Sequence, residues 1–333
     1  MARGRLLAGG AILVSAVLAT VYLARPAHAI ASGLAYLRGA EPAFLVAAGL
    51  AFLAAGIASA AAWHRALAAC GAQLERWQVI RRYAAGSFAN TLAPTNAGEV
   101  VRVALIARAI GSEGAAFTTI GVAAAVSVVR AVLIAALFFV AVPHGHLLPW
   151  LAPIAVAAAV VTVIALGGVW GRRGTGRLGH LLDVVRAAAA SPGAALESCT
   201  WIAAAIVSRV LASACIGAAL GLHHPLAAAL VIVPVLELAG VLQLTPGNIG
   251  VTSAAVALAL RGHGVPLAPA IGTGIALHAV ETIVGLTFGG ACALSLAPRL
   301  RPRVGRVLIA STAAALVIAV ATSSFVGTGL QLA

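Results

Sequence analysis

Lysine is absent from this 333-residue chain, and all 21 basic residues are arginine. Acidic residues number only 8, and charged residues of all kinds make up 9%. A water-soluble domain of this length would need far more polar surface around its core, so that class is excluded. So few carboxylates also leave little to ligate magnesium. The four cysteines, Cys70, Cys199, Cys215 and Cys292, are scattered and form no CxxC, so neither a zinc site nor a disulfide framework is supported. HExxH, GxSxG and paired-aspartate motifs are missing as well. The chain is therefore read as non-enzymatic, with no catalytic residue, metal or cofactor.

What fills the chain instead is apolar: 62% of residues are hydrophobic, and the mean hydropathy is +1.08. Several runs reach the length of about 18 apolar residues that marks a membrane-spanning helix. Strands of a membrane barrel would alternate in polarity, and these runs do not. The fold class expected is an all-α polytopic membrane protein. A net charge of +13 would suggest nucleic acid in a soluble protein. Here the arginines flank membrane helices, where they face anionic lipid heads on the cytoplasmic side. A multi-pass plasma-membrane protein with a cytoplasmic N-terminus and no nucleic-acid partner follows. Residues 1–29 carry signal-peptide features, Arg3, Arg5 and Ala27-His28-Ala29, but the apolar run from Leu6 to Ala24 is long enough to be an uncleaved first helix.

About eight spans are predicted, near 6–24, 42–63, 115–142, 149–170, 196–220, 226–243, 267–296 and 306–325. Between them lie two stretches of another kind. Residues 84–110 hold NTLAPTNAGEVVRVALIAR, and 242–260 hold LQLTPGNIGVTSAAVALAL. Leu92, Pro94, Asn96 and Gly98 match Leu244, Pro246, Asn248 and Gly250 at a constant separation of 152 (246 − 94). Each stretch is too interrupted for one span and too apolar for a free loop. Two short half-helices meeting at the Pro–Gly break fit better, as a re-entrant segment buried in protein or facing a water-filled cavity. The whole chain, 1–333, reads as one integral membrane domain. Its first half is about 1–170, a polar cytoplasmic linker follows at 171–195, and the second half is about 196–333. Arginine-rich loops placed inside make the first broken segment open inward and the second outward, the pattern of an inverted repeat.

The candidate binding residues cluster at these breaks. Proline removes a donor, glycine permits unusual dihedrals and asparagine caps free backbone. Pro94, Asn96 and Gly98, with Pro246, Gly247, Asn248 and Gly250, either make the break and no more or leave backbone free for a ligand. Glu99 and Arg102 are three residues apart on one helical face. A helix start suits a phosphate, and Arg102 can add a bidentate contact. The competing reading is a pair that neutralises itself. Arg130, Arg209, Glu237 and Glu281 interrupt apolar runs, where a charge costs roughly 2.5–3.5 kcal/mol on insertion scales, so they line a cavity or pair with one another. His278 sits one turn before Glu281 and either relays protons or makes a structural hydrogen bond.

The first stretch resembles the signature of the lysylphosphatidylglycerol synthase transmembrane-region family, and LTPGNIGVTSAAVALAL is similar to that family's later glycine segment. The resemblance covers roughly 5–325. It implies a flippase-type protein that handles an anionic or modified phospholipid or a polyprenyl phosphate, with Pro94, Gly98, Glu99, Arg102, Pro246, Gly247 and Gly250 at the site. Members fused to an aminoacyl transferase move aminoacylated phosphatidylglycerol; others are linked to glycosyl transfer onto polyprenyl carriers. The chain departs from the family pattern at Val129, at Thr252-Ser253 and at His278, as a stand-alone, diverged member would. The alternative is an accessory or scaffold subunit for a membrane glycosyl or aminoacyl transferase. Membrane lipids, and a transferase in the second case, are the partners implied.

Overall fold

The structure is a computed structural model that describes residues 27–92, 97–112, 114–141, 191–241 and 250–296. The described residues are helical, without strands. In chain order the helices are α1 (Ala27–Tyr36), α2 (Pro42–Ala69), α3 (Arg76–Leu92), α4 (Ala97–Ile110), α5 (Ala115–Ala141), α6 (Pro192–Ala219), α7 (Pro225–Val241), α8 (Val251–Gly262) and α9 (Leu267–Val284). A π-helical turn, Gly285–Gly289, carries α9 onward into α10 (Gly290–Ser295).

Length sorts these helices into two kinds. α2 and α6 have 28 residues each, which at 1.5 Å per residue gives about 42 Å, more than the roughly 30 Å of a bilayer core. Along with α2 and α6, Ala115–Phe138 and Leu267–Ser295 are long and apolar enough to cross a membrane. α3 and α7 have 17 residues, α4 has 14 and α8 has 12, so none exceeds about 26 Å. α3 with α4, and α7 with α8, pack as two helical hairpins that stop short of a full crossing.

The order span, short arm, short arm, span therefore occurs twice. α2 and α6 both start with proline, which needs no intrahelical partner for its missing N–H. Both end on the same closure. Gly71 and Gly221, 150 residues apart (221 − 71), adopt φ values of 82° and 67°. The Ala72 N–H donates to Leu67 O at 3.0 Å, and the Leu222 N–H donates to Gly217 O at 2.9 Å. Each bond satisfies a carbonyl that a helix end would otherwise leave open, and the left-handed glycine is what allows it.

α2 and α6 lie side by side and run antiparallel. The Glu41 N–H donates to Ala219 O at 2.8 Å at one end. Near the other end the Ser198 hydroxyl donates to Ala62 O at 3.2 Å, and Arg65 pairs with Glu197 at 2.5 Å. The buried residues between these points include Ala48, Ala55, Ala58, Ala62, Ala205 and Ala212. Small side chains let two backbones approach closely where lipid offers no hydrophobic driving force. Around this pair the halves exchange partners. α3 packs on the π turn and α10 of the second half, while α7 packs on α5 of the first. A Cβ added at Gly289 would lie 2.7 Å from Ala84 O, so α3 and the π turn are already in backbone contact.

Three expected boundaries change. The first broken segment starts at Arg76 rather than at 84, because the Arg-rich stretch before it is helical. Arg82 is accommodated there by donating to Leu105 O at 3.1 Å and Gln78 O at 2.9 Å. The expected span at 226–243 is α7, an arm of the second hairpin interrupted by Pro234. The second broken segment correspondingly runs from Pro225 to Gly262 rather than 242–260. The expected spans at 6–24, 149–170 and 306–325 lie outside the described residues.

Candidate functional site

The first hairpin closes through two glycines. A Cβ at Gly98 would lie 2.5 Å from Asn90 Oδ1, and one at Gly86 would lie 2.8 Å from Gly98 O. The arms are thus as close as their backbones permit. Asn90 Oδ1 accepts the Gly98 N–H at 2.7 Å, so a side chain of α3 caps the start of α4. This cap takes up one of the free donors of that helix start.

On the next turn Arg102 is 8% exposed and pairs with Glu99, the acid of the first turn of α4. The carboxylate there also suits the positive end of the helix. Arg102 lies over the Tyr83 ring at 3.9 Å and over Trp63 at 5.6 Å, and those two rings meet edge-to-face at 6.0 Å. Its Nη2 reaches Ser87 Oγ at 3.4 Å, but its buried Nε has no hydrogen-bond partner. A guanidinium held on its face by rings presents its edge in a fixed direction, and an edge donor left open under burial costs about 1–3 kcal/mol.

Arg102 lines a cavity of about 110 Å³, well above the roughly 10–15 Å³ one water needs. Ser59, Glu99, Ser127 and Arg130 line it too. Arg130 comes from α5, and its buried Nε is also unpartnered. Two arginines from different helices and two hydroxyls thus converge on one space, which is the donor set for a phosphate or another oxyanion.

Behind Arg130 runs a chain of ion pairs across four helices. Arg130 pairs with Glu237 of α7. Arg209 of α6 lies 3.4 Å from the same Glu237 oxygen and 2.9 Å from Glu281 of α9. Arg209 also faces the Phe52 ring at 5.9 Å. The four charges that interrupt apolar runs have therefore found one another, and their desolvation cost is shared within one cluster.

Of the expected binding residues, Gly98, Glu99, Arg102 and Arg130 come together. Glu281 is three ion pairs away from Arg130, through Glu237 and Arg209. Gly250 starts α8 with φ 88° and is exposed, and it does not line the cavity. His278 is half-buried, and among the described residues it makes no hydrogen bond to Glu281. Pro94, Asn96, Pro246, Gly247 and Asn248 lie outside the described residues. Sequence reasoning missed Asn90, Tyr83 and Trp63. Asn90 had a signal, an amide at the head of the broken stretch. The two rings had none, since only the packing of α2 against α3 places them under Arg102.

The model of one protein family, described as the lysylphosphatidylglycerol synthase TM region, matches residues 6–289. The chain belongs to that family. No curated protein matches it. The match by the lysylphosphatidylglycerol synthase TM region includes both hairpins, every residue that lines the cavity and all four members of the ion-pair chain. As a family member with four helices long enough to span among its described residues, the chain is a membrane protein.

Proposed function

We propose that the chain is a lipid flippase that admits a phosphate-bearing head group, from an anionic or modified phospholipid or a polyprenyl phosphate, into the cavity between Arg102 and Arg130. The observation that carries this reading is the convergence of two arginines from different helices, Arg102 and Arg130, on one cavity. Family membership adds the link to lipids, since the family is named for a synthase of a modified phosphatidylglycerol. The lipid tails would stay in the bilayer while the head group exchanges water for arginine and serine donors. No catalytic step is assigned to the chain.

An inverted repeat would give such a site two accesses. Its support is the repeated order of elements, the matching glycine closures and the antiparallel contact of α2 with α6. With Arg65 and the arginines of α3 on the cytoplasmic side of a plasma membrane, the first hairpin enters from inside and the second from outside, around a midplane site. The accessory-subunit reading draws on a different observation, that Glu99 already neutralises Arg102 without any ligand.

The deciding experiment is mass spectrometry of lipids retained by the gently purified chain, wild type beside Arg102→Ala. One phosphate-bearing lipid enriched in wild type and depleted at least about tenfold in the variant, a difference near 1.4 kcal/mol, is the expected result. Equal retention of the same bulk lipids by both proteins refutes the cavity site and moves the accessory reading ahead.

A further inference from the structure

Arg130 stands at a junction. One side of it lines the cavity, and the other pairs with Glu237, which does not line the cavity and belongs to the other half of the chain. Arg102, the facing arginine, is tied to a carboxylate of its own helix and is fixed by two rings. Among the described residues Arg130 has no ring contact and pairs with no carboxylate other than Glu237. Of the two arginines, it is the one free to reorient.

We infer that Glu237 is an internal competitor for the phosphate site: it holds Arg130 while the cavity is empty and yields it when a phosphate group enters. The surrender is cheap because Glu237 is not left bare. Arg209 remains 3.4 Å from the same oxygen. Glu281 in turn holds Arg209 in place at 2.9 Å. Loss of Arg130 from α7 also removes the ion pair that joins α5 to the second hairpin. Occupancy of the cavity in the first half is thereby reported to the second half by one guanidinium. A ligand shifts such an equilibrium only through contacts that differ between the two states, and the exchange of partners by Arg130 is such a difference.

The test uses the full chain in detergent and two probes of the shared chemistry, dihexanoyl phosphatidic acid and inorganic phosphate. Glu237→Gln removes the competing charge and keeps the shape of the side chain. Both probes are expected to bind this variant about tenfold tighter than wild type, in line with the coupling of close charge pairs. The tighter-binding probe names the source of the phosphate. In an Arg130→Gln background the same substitution is expected to change affinity less than about twofold, because the contested group is gone. Glu237→Asp, whose carboxylate is retracted by one methylene, is expected to fall between wild type and Glu237→Gln, and it serves if the glutamine variant does not purify as a single species. The inference rests on the phosphate reading of the cavity, and the two fail differently. Binding that survives Arg102→Ala unchanged refutes the site itself. Binding lost in Arg102→Ala but unchanged or weaker in Glu237→Gln refutes the competition alone.

Discussion

The two hairpins share an order of elements and differ in where they carry charge. In the first, the second arm holds Glu99 and Arg102, while the first arm meets the other half through Phe88 against Gly289 and Gly290. In the second hairpin the positions 152 residues later are Val251 and Ala254, and the charges are Glu237 on the first arm and Arg261 in the last turn of the second. At the same separation Glu237 matches Ala85 (237 − 152). A carboxylate on the first arm of one hairpin thus stands where the other has a methyl group. Repetition supplies a frame with two short hairpins, and the departures from repetition supply the chemistry. A site built at the seam of two unequal halves can respond differently to its two sides.

The largest effect should come from breaking the seam. Arg209→Ala leaves Glu281 without its guanidinium and Glu237 with Arg130 alone, at a cost of about 3–5 kcal/mol, read as a fall in the melting temperature of the purified protein. A change as small as that of a surface pair would mean that the ion-pair chain is hydrated and does not join the halves. The hairpin glycines come next and sharpen the contrast between the arms. Gly98→Ala drives a methyl into Asn90 and Gly86 and should cost about 1–3 kcal/mol, with Gly98→Leu much worse. Gly250 has open space around it but a φ of 88°, so Gly250→Ala should cost about 1–2 kcal/mol and Gly250→Leu no more than that. Equal size dependence at the two positions would show that the hairpins close in the same way. The smallest effect belongs to Arg65→Ala at the end of α2. Its pair with Glu197 is 37% and 45% exposed, and less than about 1 kcal/mol should be lost in the same melting measurement.

Much of this arrangement was legible in the residues. Long apolar runs marked α2, α5, α6 and α9, because a bilayer leaves backbone no other partners than its own. The recurrence of Leu, Pro, Asn and Gly marked both breaks. The mutual attraction of lone charges in apolar surroundings marked the chain from Arg130 to Glu281. The start of α3 was hidden, since three arginines in RWQVIRR read as a loop when their acceptors, carbonyls such as Leu105 O, lie on another helix. α7 read as a span because an apolar run shows hydrophobicity but not whether the chain turns back before the far side. Asn90 and Tyr83 became part of the site only through the approach of the two arms.

The bond between Arg130 and Glu237 has a consequence for how the protein is made. The two residues are separated by 107 positions in the chain. At ordinary synthesis rates of about 5–20 residues per second, Arg130 leaves the ribosome roughly 5–20 s before its carboxylate exists. During that interval the first half carries an unneutralised guanidinium in the segment destined to be α5, and it cannot settle fully into lipid. The insertion machinery, or water beside it, must shelter that charge until α7 arrives. The first half is therefore not a separable module: expressed alone, it would lack the residue that lets its last helix rest in the membrane.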